Sequence, residues 1–322
     1  MLYTVLPWKA LMALTAVVPP VLCALLLRIF RNKLPRDHGR EFAVNGMKSA
    51  GKIRGAGIIF VCAFIVCALL FVPIHAESLI YYGALFLEML SGYLDDRSEK
   101  PWGEYKKGLV DLVISAAVAA NFVICNPELF SVRCFGFSLR LPAVVFGILA
   151  ALLVWMLINA VNCTDGIDGF SGSLTIVSLI SVGVAILLRT HGMDDSLLMI
   201  LLMILVLLPY LWKNAEPSTM MMGDAGSRAL GLFLAVAVMK TGNFLLVIPL
   251  CLMLCLDGLL GIVKIVTIRF LHINPLKKIR TPLHDHVRKN IKTPWSNTQV
   301  IFRFCSLQIV ISALTLLPML QA

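Results

Sequence analysis

The fold is decided by the stretch PAVVFGILAALLVWMLINAVNCTDGIDG, residues 142–169, in which a long apolar run leads into a polar, glycine-containing segment. The apolar part, 142–161, is long enough to cross the roughly 30 Å hydrocarbon layer of a membrane, because a spanning helix needs about 20 residues. The polar part, 162–169, then falls at the membrane surface. Polar side chains at the mouth of a membrane helix indicate a functional site there.

The rest of the chain repeats this pattern of long apolar runs. Its 322 residues are 59% hydrophobic and 14% charged, with a mean hydropathy of +0.89, which is more apolar surface than a soluble core can bury. We therefore predict an all-α, polytopic membrane protein with about ten transmembrane helices in a single integral-membrane domain over 1–322. The predicted spans are 8–30, 55–74, 78–94, 108–125, 142–161, 169–189, 196–212, 228–241, 243–270 and 297–319.

Lysine and arginine are concentrated in three segments, at 28–54, 97–107 and 269–292, whereas the opposite-face loops hold few. Short loops rich in these residues stay in the cytoplasm, so both termini are predicted to be external. The net charge of +10 then lies mainly on the cytoplasmic face, where it attracts membrane lipid, a lipid phosphate or a polyanionic soluble substrate. No nucleic-acid partner is predicted, and small-residue helix faces permit a homodimer.

Asp95 and Asp96 end the third predicted helix, where adjacent acids oppose the helix dipole and a cation should compensate them. One interpretation is a solvated pair that Arg97 and Lys100 neutralise. The other is a site for a hard cation such as Mg2+, which binds carboxylate oxygens, with one of the two acids able to act as a base.

The segment after the fifth predicted helix combines amide and acid side chains on a tight glycine turn. Helix capping explains one or two of them, for example Asp168 as the N-cap of the next helix. Four polar side chains together favour a pocket for a ligand with donors and acceptors, such as a uracil ring and its ribose. The polar residues are Asn159, Asn162, Asp165 and Asp168, and the glycines are Gly166 and Gly169.

A third motif, Gly223 to Ser227, precedes the eighth predicted helix. The N–H groups and the positive dipole end of a helix start favour phosphate, here beside Asp224. The alternative is that Asp224 or Ser227 only caps the helix.

A fourth motif follows Pro282 in the basic loop before the last predicted helix and contains His284, Asp285 and His286. Two histidines at this spacing could bind a transition metal. Because no thiolate or third histidine lies nearby in the sequence, we favour hydrogen bonding to phosphate.

These four motifs, in this order, resemble those of the polyprenyl-phosphate N-acetylhexosamine-1-phosphate transferases, and most closely the phospho-N-acetylmuramoyl-pentapeptide branch of that superfamily. The resemblance covers essentially the whole chain and is most specific in NAVNCTDGIDG, residues 159–169. The proline-led histidine cluster favours the muramoyl branch. The resemblance implies ten helices with both ends outside, in a multi-pass protein of the bacterial inner membrane whose active site lies on the cytoplasmic face.

The resemblance also implies a Mg2+-dependent phosphotransferase. The phosphate of undecaprenyl phosphate attacks the sugar-bearing phosphorus of UDP-N-acetylmuramoyl-pentapeptide, which releases UMP and forms lipid I of peptidoglycan synthesis. Phosphoryl transfer requires positioning and neutralisation of oxygens, which carboxylates, histidine and a basic loop supply. Direct attack and a two-step route through an acyl-phosphate are both open, and we favour direct attack because the lipid phosphate is already a nucleophile.

The family's site residues are matched to this chain by motif position. Asp224 corresponds to the principal Mg2+ ligand, with Asp165 as a second ligand. Asp95 corresponds to the base that deprotonates the lipid phosphate, Asp96 supports the metal and the geometry, and His284 contacts the diphosphate. The expected substrate-binding residues are Lys48, Lys107, Asn162, Asp165, Gly166, Ile167, Asp168, Asn214, Met221, Asp285 and His286.

The chain departs from the family pattern before the second predicted helix. The family's Gly-Thr-Pro-Thr-Met-Gly-Gly signature reads GKIRGAG here, residues 51–57. Lys52 and Arg54 are therefore expected to act as substitutes, and Lys48 matches the preceding family lysine only approximately. Met221 stands where an aromatic residue commonly stacks on uracil, so a sulfur-to-ring contact replaces stacking.

The ninth predicted helix carries Asp257 and Lys264 two turns apart, on roughly one face. A charge deep in hydrocarbon is costly, so we expect these side chains to meet each other, water or a lipid head group. Gly258 and Gly261 either bend the helix and open a lateral groove for the isoprenoid or allow close helix packing.

Two other functions are consistent with parts of the sequence. Within the enzyme class, the donor could be UDP-N-acetylglucosamine or a related hexosamine rather than the muramoyl-pentapeptide. An ion-coupled transporter also places acids in membrane helices, but such sites usually lie at mid-membrane on broken helices related by internal repeats. The present motifs lie at the cytoplasmic mouths, which favours the enzyme.

Overall fold

The computed structural model describes residues 2–5, 7–37, 39, 49–98, 100–134 and 137–320, without the side chains of Tyr3 and Cys134. This part of the chain is almost entirely helical. Short 3-10 helices cover Leu2–Thr4, Arg31–Lys33, Pro127–Leu129, Phe244–Leu246 and Leu317–Leu320. The α-helices are α1 (Trp8–Phe30), α2 (Gly57–Phe71), α3 (Ala76–Arg97), α4 (Glu104–Cys125), α5 (Ala143–Thr164), α6 (Phe170–Thr190), α7 (Asp195–Asn214), α8 (Gly223–Lys240), α9 (Val247–Leu250), α10 (Leu252–Leu254), α11 (Leu260–Leu271), α12 (Leu283–Lys289) and α13 (Asn297–Leu316).

Six helical stretches in the described chain are long and apolar enough to cross a membrane, so the protein is a polytopic membrane protein. They are Trp8–Lys33, Glu104–Cys125, Ala143–Thr164, Phe170–Thr190, Asp195–Asn214 and Asn297–Leu320. Two further segments, Phe244–Leu250 and Leu252–Leu271, are long and apolar enough to cross a membrane if they count as one bent span. Helix α2 is a shorter apolar helix. The predicted count of ten spans and the placement of the termini stay predictions.

Helix α8 lies at the centre of the bundle and is buried along nearly its whole length. Glycines allow the neighbouring helices to approach its backbone closely. A methyl group at Gly92 of α3 would meet the backbone of Asp224, and one at Gly57 of α2 would meet that of Gly226. The start of α8 is thereby fixed against the end of α3, which brings two of the predicted motifs together.

A buried ion-pair network crosses the same bundle. The Arg228 guanidinium of α8 lies 2.8 Å from Glu88 Oε1 of α3 and also pairs with Asp111 of α4. The Arg228 side chain is 1% exposed and that of Glu88 is 0% exposed. Charges inside spans carry a large desolvation cost unless they are paired. These three charged residues inside apolar runs were a sequence signal for the network, although no motif predicted it.

The chain between α4 and α5 forms a β-hairpin, which the all-helical prediction did not include. Strand β1 (Ser131–Cys134) pairs antiparallel with β2 (Phe137–Arg140), in a register that places Ser131 opposite Arg140. The hairpin is short and external to the helical bundle, so the all-α class holds for the membrane domain.

The ninth predicted helix is broken rather than continuous. Its two parts meet at an angle of 76°, and a π-helical turn, Cys255–Leu259, lies between α10 and α11. Lys264 donates to the carbonyl of Ile279 at 2.7 Å, whereas Asp257 binds His284. Of the three alternatives expected for Asp257 and Lys264, the one in which they meet each other is therefore wrong. Gly258 packs on the backbone of Ala160, as the close-packing alternative predicted.

Candidate active site

A polar cavity of about 750 Å³ opens where the ends of α3 and α5 meet the starts of α4, α8 and α12. The four carboxylates that the motifs placed together, Asp95, Asp96, Asp165 and Asp224, all line it. The complete lining is Asp37, Gly39, Arg54, Asp95, Asp96, Ser98, Pro101, Glu104, Lys107, Asn162, Cys163, Asp165, Gly166, Asp224, Pro282, His284 and Asp285.

Asp224 lies in the first turn of α8, between two cations. Its Oδ1 accepts a hydrogen bond from Arg54 Nη2 at 3.2 Å, and its Oδ2 accepts one from Lys107 Nζ at 3.0 Å. The side chain is 6% exposed. Two positive groups therefore contact this carboxylate at the cavity wall.

Asp96 occupies the N-terminus of α8. Its carboxylate accepts the backbone N–H groups of Asp224 at 3.2 Å and Ala225 at 3.3 Å, and it lies 2.8 Å from Arg54 Nε. Gly223 has a φ of +67°, and a methyl group there would collide with the Asp96 side chain. Two N–H groups of this helix start thus donate to the Asp96 carboxylate, and a phosphate at the helix start stays a prediction.

Asp95 faces Lys107. Its Oδ2 forms an ion pair with Lys107 Nζ, and its Oδ1 accepts the backbone N–H of Trp102 at 2.6 Å. Lys106 instead stacks over the Trp102 ring, 3.5 Å from the centroid. Among the lysines after the acid pair, Lys107 is therefore the one at the cavity, and the compensating cations are Lys107 and Arg54 rather than Arg97 and Lys100.

Arg54 joins three acids from distant parts of the chain. Besides Asp96 and Asp224, it reaches Asp37 Oδ1 at 3.2 Å. Burial alone would lower the pKa of Arg54, but the surrounding carboxylates raise it, so the guanidinium stays charged. The expected substitute role of Arg54 is consistent with this position, whereas no motif predicted Asp37.

Backbone pairing holds the Arg54 segment against the third motif. The N–H of Met221 donates to the carbonyl of Ile53 at 2.7 Å, and the N–H of Ala56 donates to the carbonyl of Met221 at 3.0 Å. Met221 is half-buried beside this segment. Within residues 51–57, which depart from the family signature, Arg54 is thus part of the cavity wall.

His284 contributes from α12 and is 2% exposed. Its Nδ1 lies 2.8 Å from Asp257 Oδ2, a partner that sequence spacing did not predict. Asp285 lines the cavity and pairs with Arg288 Nη1 at 3.1 Å. His286 is half-buried and outside the cavity lining, where its Nδ1 accepts the backbone N–H of Arg280 at 3.1 Å.

The residues expected at the uridine lie beside one another, but only Asn162, Asp165 and Gly166 line the cavity. Asn162 Oδ1 accepts a hydrogen bond from Ser227 Oγ at 3.2 Å. Ile167 is 6% exposed and belongs to the core. Lys48 lies outside the described residues.

Asn214 binds the backbone of the glycine turn at residues 166–169. Its Oδ1 accepts the N–H of Gly169 at 2.8 Å, and its Nδ2 donates to the carbonyl of Met220 at 2.7 Å. The side chain bonds to protein backbone on both sides and is 4% exposed. The structure therefore places Asn214 behind the turn rather than at the cavity surface.

Asp168 forms an ion pair with Lys52 at 2.8 Å and accepts the N–H of Ser218 at 3.1 Å. Burial on its own would raise the pKa of Asp168, but the hydrogen bonds from Lys52 and Ser218 lower it overall. Asp168 thus connects its own loop to the loops that carry Lys52 and Ser218, beside the cavity.

Replacing Lys52 with Met is expected to lower the free energy of unfolding by about 1 kcal/mol at neutral pH, because Asp168 loses its cation. The folded-state pKa of Asp168 lies below its ordinary value of 3.8, so its contribution is fully present above pH 3.8 and is lost as the pH falls through the folded-state value. Unfolding measured from about pH 8 to 3 should give a constant difference that shrinks only at the acid end. K213M, at an exposed lysine, is the control, and a difference that grows on acidification would contradict the assignment.

The carboxylates of the cavity are oxygen donors of the kind that Mg2+ prefers. Within the described chain, no three His, Cys, Asp or Glu side chains are grouped closely enough to hold a metal ion by themselves. Mg2+ usually needs only one or two protein carboxylates, because water and substrate phosphates complete its octahedron. Asp224 and Asp165 face the same cavity, so the residues present fit that mode of binding.

The chain is similar to known proteins over most of its length. Residues 78–242 match the glycosyl transferase family 4 model. A phospho-N-acetylmuramoyl-pentapeptide-transferase of Treponema pallidum is 38% identical over 295 residues, which cover 85% of this chain and 80% of that protein. Proteins of the same name from Kosmotoga olearia and a Wolbachia strain of Drosophila simulans are 27% identical (82% of each chain) and 25% identical (92% and 93%). The chain therefore belongs to glycosyl transferase family 4 and is a homologue of the phospho-N-acetylmuramoyl-pentapeptide-transferases.

Proposed function

We propose that the protein transfers phospho-N-acetylmuramoyl-pentapeptide from its UDP-linked donor to undecaprenyl phosphate, forming lipid I and UMP. The observation that carries the proposal is the single cavity in which Asp95, Asp96, Asp165 and Asp224 meet the cations Arg54 and Lys107. The cavity lies at the ends of apolar helices, where a lipid-borne phosphate and a soluble nucleotide can meet.

Phosphoryl transfer requires charged groups at defined positions around the reacting phosphates. An oxygen of the lipid phosphate forms a bond to the sugar-bearing phosphorus, and the bond from that phosphorus to the UMP oxygen breaks. Arg54 and Lys107 neutralise oxygens of the two substrates, while Asp95 accepts the proton of the lipid phosphate. Mg2+, held by Asp224 and Asp165, would supply further neutralisation of the diphosphate and its leaving oxygen.

Asp96 has a different role from its neighbour in this proposal. Its carboxylate is engaged by two N–H groups of α8 and by Arg54, so it fixes the position of Asp224 rather than contacting substrate. In this pair, Asp95 therefore takes part in the reaction and Asp96 orients Asp224.

The broken ninth helix is the proposed route for the isoprenoid. Helix α11 has no buried residue, and its exposed apolar side chains include Val263, Ile265 and Phe270. The 76° break between Leu250 and Leu252 turns the part of the chain that contains α11 away from the preceding segment. The lipid chain would lie along α11 with its phosphate at the cavity.

The topology completes the proposal: ten spans, both termini external, residence in the bacterial inner membrane and an active site on the cytoplasmic face. The basic loops at 28–54 and 269–292 support this orientation. A homodimer is also proposed, on the small-residue helix faces alone.

Magnesium removal is expected to stop the reaction. EDTA should abolish UMP release and added Mg2+ should restore it. Because Mg2+ and donor bind the folded state, together they should also raise the melting temperature of the wild type in detergent, but not that of D224N. Full activity in EDTA would remove Mg2+ from the proposal.

The donor is tested by offering UDP-N-acetylmuramoyl-pentapeptide and UDP-N-acetylglucosamine to the purified protein with undecaprenyl phosphate and Mg2+. The proposal expects consumption of the muramoyl donor only. Consumption of the hexosamine alone would assign the enzyme to the other branch, and movement of solute into vesicles without UMP release would favour a transporter.

A further inference from the structure

Asp257 follows the bend between Leu250 and Leu252 in the ninth predicted helix and is completely buried, yet the reaction described above gives it no role. It belongs to the π-helical turn Cys255–Leu259, which ends where α11 begins. Such turns are rare and are frequent at functional sites. The turn is anchored on α5, because a methyl group at Gly258 would meet the backbone of Ala160.

Both carboxylate oxygens of Asp257 bind His284. Oδ1 accepts the backbone N–H of His284 at 2.6 Å, and Oδ2 lies 2.8 Å from its Nδ1. With Oδ2 of the carboxylate as the acceptor of this hydrogen bond, the ring proton lies on Nδ1. Phe170 packs edge-on against the ring, with centroids 5.8 Å apart. The ring is thus fixed in position and in tautomer.

The second ring nitrogen, Nε2, is on the cavity side. His284 lines the cavity together with Asp165 and Asp224. Gly166 is the neighbour of Nε2, and a methyl group there would lie 2.5 Å from it. The absence of a side chain at Gly166 leaves room for Nε2, and the bond to Asp257 directs it there.

We propose that Asp257 is a positioning residue for the transfer, which holds His284 so that Nε2 faces the diphosphate of the nucleotide sugar. The inference rests on the proposed function and adds a residue to it. Asparagine at 257 would offer one acceptor oxygen for the backbone N–H and would face the ring with an N–H donor instead of a second acceptor. It would therefore favour the ring proton on Nε2 rather than on Nδ1 of His284.

The test is a double-mutant cycle on the full-length protein. D257N should lower kcat by about 10²-fold with a change in donor KM of less than about threefold, whereas D257E, which keeps both acceptor oxygens, should recover at least about a tenth of the wild-type kcat. H284A should cause a loss of similar size. If Asp257 acts through His284, D257N/H284A should be within about threefold of H284A. Losses that multiply would overturn the proposal.

A structural control comes from the same part of the bent helix, four residues before Asp257. Gln308 of α13 is buried, and its Oε1 accepts the N–H of Met253 at 3.0 Å without contacting His284. Q308A should lower thermal stability, and its effect on kcat should multiply with that of H284A. Losses that multiply for Q308A but not for D257N would show that D257N acts by releasing His284 and not by destabilising the bent helix.

A measurement on the wild type keeps the inference testable if D257N does not fold. Nitrogen NMR of protein labelled with 15N-histidine, with the His284 signal assigned through H284Q, should find Nδ1 protonated. An unprotonated Nδ1 would overturn the inference. Because this result does not depend on activity, an inactive wild type would count against the proposed function and not against the pairing.

Discussion

Replacing Asp224 with Asn is expected to abolish transfer, with kcat lowered by at least about 10³-fold, because the site loses the carboxylate on which its charges converge. Asp224 is 4% exposed and accepts hydrogen bonds from both Arg54 and Lys107. Asparagine keeps the shape of the side chain but removes its charge. The two cations are then left without this partner, and the proposed Mg2+ ligand is weakened.

The measurement is UMP release at saturating donor and acceptor, together with the melting temperature of each variant in detergent. E104Q is the matched control, because Glu104 also lines the cavity but is exposed at the start of α4. We expect E104Q to keep nearly full activity. A D224N protein that retains about a tenth of the wild-type kcat would contradict a central role for this acid.

Replacing Arg228 with Met is expected to cause the largest loss of stability, on the order of 3–5 kcal/mol, because it leaves buried acids without their cation. Glu88 is 0% exposed and Asp111 is 3% exposed, and both pair with Arg228 inside the helical bundle. Methionine fills a similar volume, so the expected loss is electrostatic rather than a packing defect.

Denaturant unfolding in detergent would measure this loss. The triple variant R228M/E88Q/D111N should recover most of it, since the uncompensated charges are gone. R303M is the control, because Arg303 is exposed and stacks on Trp295 at 4.3 Å, and its loss should stay within about 1 kcal/mol. Wild-type stability in R228M would contradict a structural role for the network.

The convergence of the motifs was predictable because helices that alternate across a membrane return their ends to the same face. Asp95 ends α3, Asp165 follows α5 and Asp224 begins α8, so all three were expected at one surface, and they line one cavity. The apolar runs also predicted most of the helices, because the length and hydropathy of a run are local properties of the sequence.

The partners of these acids were not predictable from local spacing. Arg54 reaches Asp37, Asp96 and Asp224 across the fold, and nothing in the local sequence specifies those distances. Lys264, two turns from Asp257 on an unbroken helix, was an expected partner. The π-helical turn changes that geometry, and Asp257 binds His284 instead.

The proposed transfer is tested most directly by following both halves of the donor at once. Wild-type protein would receive Mg2+, undecaprenyl phosphate and UDP-N-acetylmuramoyl-pentapeptide labelled in the uridine and in the sugar. We predict that UMP and a lipid-linked muramoyl-pentapeptide diphosphate appear in equal amounts, and that neither appears without the lipid phosphate. Release of UDP, or loss of the donor that does not depend on the lipid phosphate, would contradict the account.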